Sequence, residues 1–511
     1  MLKQVPFHPW LLVTYHVLFF TSGNLAEIGL WEPLVLLAQL YLLVVVVFSC
    51  FYFLIRNSLK AGFCTTLVAV FVFAYGPLID WRGNLKALTG IFPSADLVLA
   101  LLGLVSVLGI VVVWRLLKEQ ALPAVNQILN VILITLVVLP LLNIGQEAWV
   151  LSRQKSVNQN TAKPVVQSGQ SRELPDIYYI LLDAYPRRDT LKRYYGIDNA
   201  AFVEALQKRG FLVGEKSCSS YTRTLLSTSS TFNMRYHDDV VAAYGKTLNN
   251  YRPYVEQIRS NKVASLLKEN GYHYTHIGSW FAALRGNTAA DKNISGPAQE
   301  LSLVVWQSTS LNKIARSFFK KELDYTVQRN HTLFSLNALD AESKKQPASA
   351  QPRFVLAHII SPHLPLYFGP NGEDIQDLKN MDYPTQLKGN IDYLNQRMLT
   401  VVDAILASKR PAVIIIQGDH GTAKHGKKHP FIGETKEDAP EVLTERMAIL
   451  SAIYMPPAFH ISAAPHAINT FPVVFNQIWG STFPLLPFKA YYAPPKTPSD
   501  FREVTRTVDC Y

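Results

Sequence analysis

Cysteine is scarce, with four in 511 residues, which excludes a scaffold held together mainly by disulfides. Cys50 and Cys64 fall in apolar stretches and read as inert. Cys218 and Cys510 lie in the more polar part of the chain, where they either pair, if that part is exported, or stay separate thiols. Basic helices and aromatic-basic modules are also lacking, so the net charge of +11 is not read as nucleic-acid binding. An anionic lipid surface or a phosphate-bearing substrate accounts for it equally well. No internal repeat is present. The N-terminus lacks a positive start leading to a small-residue cleavage site, so no cleavable signal is expected. Long apolar runs are nearly absent after residue 146.

Before residue 146 they dominate. Residues 33–55, 62–80, 95–114 and 124–144 are apolar stretches long enough to cross a bilayer as helices. Residues 9–30 form a weaker fifth candidate, interrupted by Asn24 and Glu27. Five helices are therefore expected in a membrane domain over residues 1–149. Lys3, the Arg56–Lys60 loop and the Arg115–Lys118 loop favour a cytoplasmic N-terminus, while Arg82 and Lys86 run against it. Everything after residue 146 is then outside, which in a bacterium means an inner-membrane protein with a periplasmic or extracytoplasmic domain. Residues 150–174 are rich in Ser, Gln and Asn and read as a tether.

A soluble domain is expected over residues 175–511. Strands are predicted at 176–182, 272–277, 353–360, 412–417 and 447–455, and helices at 200–210, 262–270, 385–408 and 471–480. Near-continuous apolar strands alternating with helices imply an α/β fold with a largely parallel sheet buried between helices. The polar segment 338–352 reads as a surface loop. Ligands gather at the carboxyl edge of such sheets, and two predicted strands end there in a carboxylate, Asp183 and Asp419.

Asp419 is followed by His420, and the pair is flanked by Gly418 and Gly421. Oxygen and nitrogen donors on adjacent residues suit Zn²⁺ or Mn²⁺, with glycines allowing a close turn around an ion. The plainer alternative is a strand-ending turn with an Asp cap and a solvated His. Asp183 alone also fits an ordinary turn or capping aspartate. Two such strands on one sheet favour a shared cation. The hydroxyl-rich stretch SYTRTLLSTSSTFNM, residues 220–234, is able to start a helix at Thr222 or Thr224. A hydroxyl there sits where a helix dipole and free amides attract phosphate or sulfate. Its plain reading is a helix start with capping hydroxyls.

The stretches ILLDAY, the threonine segment, HIISPHLPLYF and QGDHG, in this order behind five apolar segments and a linker, resemble the alkaline phosphatase superfamily. The likeness is to its sulfatase-like membrane branch, which includes lipoteichoic acid synthases and lipid A phosphoethanolamine transferases. That resemblance implies that Asp183, Thr224, Asp419 and His420 bind one divalent metal, zinc or manganese, with magnesium or calcium as alternatives. It makes Thr224 the nucleophile, chosen over Thr222 because Ser227 and Phe232 follow in the transferases' register. His363, and His425 or His429 downstream, resemble histidines that contact the substrate phosphate or a second metal. Two departures stand out. The transferases usually carry Glu where this chain has Asp183. CSSYTR, residues 218–223, lacks the proline of a formylglycine signal and displaces its Arg, so sulfate-ester hydrolysis by that route is not expected.

The function implied is transfer of a phosphoethanolamine or phosphoglycerol headgroup from a membrane phospholipid to an envelope glycan or lipid. A phospho-threonine intermediate carries it, with His363 as acid or base. The rivals are a membrane-tethered phosphatase, phosphodiesterase or sulfatase-like hydrolase and, from another class, a non-catalytic envelope glycan-binding or assembly protein. The sequence leaves oligomeric state open.

Overall fold

The structure of the protein, a computed structural model, describes residues 3–24, 28, 31–90, 92–154, 173–297, 299–318, 323–346, 351–375, 381–422 and 439–510. The chain forms two compact units. One comprises residues 1–161 with 298–326, the other 162–297 with 327–511.

The first unit is helical, and each of the five expected apolar segments contributes helix, the first of them, 9–30, only up to Gly23. They are α1 (His8–Gly23), α2 (Trp31–Ile55), α3 (Ser58–Phe73) leading into α4 (Tyr75–Thr89), α5 (Ala95–Val111) and α6 (Leu122–Gln154). Among the described residues, three stretches are long and apolar enough to cross a bilayer: Trp31–Ile55, Ala95–Leu116 and Leu122–Gln146. The α3–α4 pair, bent by 55°, makes a fourth if it counts as one span. The bend follows from Pro77, which has no amide to continue the ladder to Phe73. Against the expected five, the structure therefore offers three or four. The shortfall is α1, whose helix stops at Gly23 after 16 residues. It nonetheless packs against α2, α3 and α6. Asn126 and Asn130 of α6 donate to the carbonyl of Val5 at 3.1 and 2.9 Å, and His8 bonds Thr66 of α3. Polar pairs of this kind fix helix neighbours where apolar contacts alone do not discriminate.

The second unit is an α/β sandwich. Its main sheet consists of β1 (Asp176–Leu182), β2 (Leu212–Val213), β3 (His273–Ile277), β4 (Lys292–Ile294), β5 (Arg353–Ile359), β6 (Ala412–Gly418) and β7 (Ser451–Tyr454), in the order β2-β7-β6-β1-β5-β3-β4. The pairings among β6, β1, β5, β3 and β4 are parallel, and β7 pairs antiparallel to β6 and β2. The fold class is thus as expected. Alternation along the buried strands divides the core. Ile177, Tyr179 and Leu181 join one apolar cluster, and Tyr178, Ile180 and Leu182 join the other. Each cluster is completed by helices on its own face.

Two details differ from the sequence reading. Residues 338–343 are not loop but the end of the helix Leu323–Ser343, consistent with the strong helix formers in ALDAE. The expected strand 447–455 shrinks to Ser451–Tyr454, because Pro440–Met447 is a helix that starts with its proline at an N-terminal position. The central register decides the rest. Leu182 at the end of β1 pairs with Gly418 of β6 and with Ile359 of β5. The residues that follow, Asp183 and Asp419, therefore leave the sheet side by side.

Candidate functional site

Asp419 is held on all sides but one. Its Oδ1 accepts from the amides of Ala184 at 3.0 Å and His420 at 2.8 Å, and its carbonyl accepts the hydroxyl of Ser227 at 2.6 Å. Ala184 reaches this position with φ +61°, an uncommon conformation for alanine, which turns its amide towards the carboxylate. Oδ2 is buried and has no hydrogen-bond partner. The glycines around the pair are also required by close chain packing. A Cβ on Gly418 would sit 2.6 Å from the carbonyl oxygen of Tyr185, and one on Gly421 2.1 Å from that of Glu445.

Asp183 is also buried, and its Oδ1 likewise has no hydrogen-bond partner. Burial works to raise its pKa. The nearby charge of His363, then the His358 bond and the charges of His420 and His358, outweigh that and hold the carboxyl below the usual range.

The imidazole of His420 completes the group. Its Nδ1–H donates to the carbonyl of Gly421 at 2.8 Å, leaving the Nε2 lone pair inward. That atom lies 3.7 Å from Asp183 Oδ1 and 3.6 Å from Asp419 Oδ2. Burial lowers the pKa of His420 against the opposing pull of the two aspartates, which favours the neutral, ligating form.

Asp183, Asp419 and His420 present one donor atom each within 4.8 Å of one another, the only such His/Cys/Asp/Glu group among the described residues. Two buried carboxylate oxygens without partners and an inward imidazole lone pair suit a divalent cation, and such oxygens are costly to leave unpaired. The donor set therefore fits the implied metal.

Thr224 stands beside this group. It opens the ten-residue helix Thr224–Asn233, and its Oγ1 lies 3.2 Å from His420 Nε2. The N-cap residue Arg223 supplies no side-chain cap, so the first-turn amides remain suited to an anion. The three hydroxyls considered from sequence separate by environment. Thr222 is buried ahead of the helix, Ser227 is committed to the Asp419 carbonyl, and Thr224 is half-exposed next to His420.

His363 donates its Nδ1–H to the Leu364 carbonyl at 2.6 Å, and its ring centroid is 6.2 Å from that of His420. His425 and His429 lie outside the described residues. Sequence reasoning missed His358. It is buried on β5, one residue short of the strand end, with Nε2 3.3 Å from Asp183 Oδ2 and Nδ1 2.8 Å from Ser279 Oγ. The available signal was an ionisable side chain inside an otherwise apolar strand. Cys218 is bonded to Cys510, so the cysteine of CSSYTR is not available for oxidation to formylglycine.

A family model described as Sulfatase matches residues 175–472. Among solved structures, the chain is 12% identical to the C-terminal periplasmic domain of EptC from Escherichia coli, with TM-score 0.43, covering 67% of this chain and 94% of that one. It is 12% identical to the soluble domain of lipooligosaccharide phosphoethanolamine transferase A from Neisseria meningitidis, with TM-score 0.38, covering 61% and 90%. An alkaline phosphatase superfamily protein from Vibrio parahaemolyticus is 14% identical, with TM-score 0.41, covering 69% and 82%. No curated protein matches the chain.

Proposed function

The chain belongs to the sulfatase family, and we propose that it works as a membrane-anchored, metal-dependent phosphotransferase. Its donor is a membrane phospholipid with a phosphoethanolamine or phosphoglycerol type headgroup, and its acceptor is a glycan or lipid of the cell envelope. One observation carries this reading: a half-exposed hydroxyl at a helix N-terminus, Thr224, beside two buried carboxylate oxygens that have no partner.

Asp183, Asp419, His420 and Thr224 would together hold one divalent ion, zinc or manganese by donor chemistry. When bound, it supplies charge neutralisation at the phosphate and a lowered pKa for the Thr224 hydroxyl. The first-turn amides of Thr224–Asn233 receive the phosphoryl oxygens. Thr224 first gives its hydroxyl proton to solvent; its Oγ then bonds to phosphorus as the phosphorus–oxygen bond to the first alcohol breaks, and that alcohol leaves with a proton. His363 is the candidate donor. Its Nδ1–H is engaged with Leu364, so Nε2 is the atom that exchanges protons. In the second half the acceptor hydroxyl gives its proton to the same nitrogen. Its oxygen then bonds to phosphorus, and the bond to Thr224 Oγ breaks. His358 and Ser279 hold Asp183 in place.

Membrane helices would keep the enzyme in the bilayer that supplies a lipid donor. The Cys218–Cys510 bond supports an oxidising, extracytoplasmic compartment for the sulfatase unit. A cytoplasmic N-terminus then requires an odd number of crossings. With the bent pair as one span, α1 is the fifth, its 16 residues rising about 24 Å.

Full-length enzyme incubated with headgroup-labelled phospholipid tests the proposal. Labelled acceptor and a phospho-headgroup adduct on the Thr224 peptide are expected, both lost in Thr224→Ala. Free headgroup phosphate as the sole product, with acceptor present, would instead identify a hydrolase. Full turnover by Thr224→Ala would remove the nucleophile.

A further inference from the structure

Residues 298–326 leave the sulfatase unit after β4, pack with the membrane helices and return at residue 327. Their two helices face in opposite senses. Glu300–Gln307 turns Leu301 and Val305, which share a face, into an apolar cluster with Val13, Val17 and Phe73. Ser310–Phe318 does the reverse. Ser310 and Asn312 are buried, whereas Leu311 is 43% exposed and Phe318 81% exposed. Those two are seven positions apart, within about 20° on a helix. Ile314 and Ala315 fall on the same side. An apolar stripe is therefore turned outward and a polar side inward, against the arrangement of a helix facing water.

A second observation fixes the depth. Lys313 Nζ lies 2.9 Å from Asp96 Oδ1, and Asp96 stands in the first turn of α5, where a candidate span begins. Near that end Phe92 carries Arg82 and Lys86 over its ring, at 4.7 and 5.6 Å. Aromatic and cationic side chains gather at the boundary between acyl chains and headgroups. Arg316 on the helix is exposed, and Lys320 and Lys321 follow in the sequence, a charge pattern that complements lipid phosphates.

We infer that Ser310–Phe318 is an interfacial membrane anchor. Its occupant is the phospholipid bilayer, with Leu311, Ile314 and Phe318 among the acyl chains and Arg316 at the phosphates. The chain thus returns to the bilayer in the middle of its sulfatase unit, giving that unit a second attachment besides the segment after α6. This inference does not depend on the proposed chemistry, and its failure would leave that chemistry standing.

Full-length protein in phosphatidylethanolamine–phosphatidylglycerol nanodiscs tests it, in a Cys50→Ala background that removes the exposed thiol. Nitroxide labels are placed by Phe318→Cys, by Leu311→Cys and, as an aqueous reference, by Glu204→Cys on an exposed position. Power-saturation measurements then compare collisions with oxygen, which concentrates in lipid, and with a water-soluble nickel chelate. The ratio of oxygen to nickel accessibility is expected to exceed unity at 318 and 311 and to fall below it at 204. Ratios below unity at 318 and 311 overturn the inference, as do labels shielded from both reagents. Should one of the two variants fail to fold, the other gives the same reading.

Discussion

Strand β1 begins with one buried aspartate and is followed by another, and the protein treats them differently. At the amino edge, Asp176 accepts from the backbone amide, Nε and Nη2 of Arg353 at 2.8, 2.9 and 2.7 Å, and from Arg410 Nη1 at 3.4 Å. At the carboxyl edge, Asp183 has histidines within 3.3 and 3.7 Å and an oxygen with no hydrogen-bond partner. Both sites are nearly free of solvent. The first carboxylate has its compensating charge built into the chain; the second is arranged for a charge supplied from outside. The difference separates a carboxylate neutralised within the chain from one left open to a ligand, which burial alone does not.

The largest effect should come from the functional edge and leave stability untouched. Thr224→Ala is expected to lower turnover on the order of 10⁴-fold or more, with an unchanged melting temperature, since the half-exposed hydroxyl supports no packing. Steady-state assays and calorimetry on the same preparation check both halves. A large loss of stability would make Thr224 a structural cap and blur the contrast. The amino edge should behave in the opposite way. Asp176→Asn removes the buried negative charge between Arg353 and Arg410, which keep Tyr178 and Glu173 as partners, and should cost up to about 3 kcal/mol of stability, while activity per folded molecule stays near wild type. Activity lost in proportion beyond the unfolded fraction would mean the two edges are coupled.

Asp419→Asn sharpens the comparison further. In metal-free protein it removes a charge that lacks a partner at Oδ2, so stability should hold or rise. Added zinc should raise the melting temperature of the wild type, by the equivalent of about 2.7 kcal/mol at a hundredfold excess over Kd, and leave the variant unmoved. An equal zinc shift in both proteins would place the ion elsewhere.

Much of this was legible in the sequence. Strands ending in Asp183 and Asp419 announced the carboxyl edge, because a near-continuous apolar run that stops at a carboxylate has few explanations in a buried sheet. QGDHG marked the turn that carries Asp419 and His420, and its glycines lie against the carbonyls of Tyr185 and Glu445. Asp176 passed unnoticed because its partners lie 177 and 234 residues away. His358 was hidden by the apolar residues around it in β5. The insertion 298–326 was missed for a different reason. An outward and an inward apolar stripe have the same sequence period, and only packing shows which way the helix faces.

The smallest expected effect concerns acid. Asp183 belongs to the candidate metal group, so the fold's own response is read from buried histidines outside that group. His276 is fully buried and satisfied as a neutral ring: its Nε2–H donates to the Leu284 carbonyl at 2.9 Å, and Nδ1 accepts from Tyr274 at 3.0 Å. Burial pushes its pKa from an ordinary 6.5 down to about 4, and the buried His237 is lowered to about 4 by the same cause. Between those values the unfolded chain binds more protons than the folded one. The stability of these two sites is thus complete above pH 6.5 and declines as pH falls towards 4. Replacing His276 with Gln should flatten that decline by at most about 1.4 kcal/mol per pH unit, read from denaturant midpoints at pH 7, 6 and 5. An unaltered slope would assign the protons to other groups, and His420, beside both aspartates, would be the first to test.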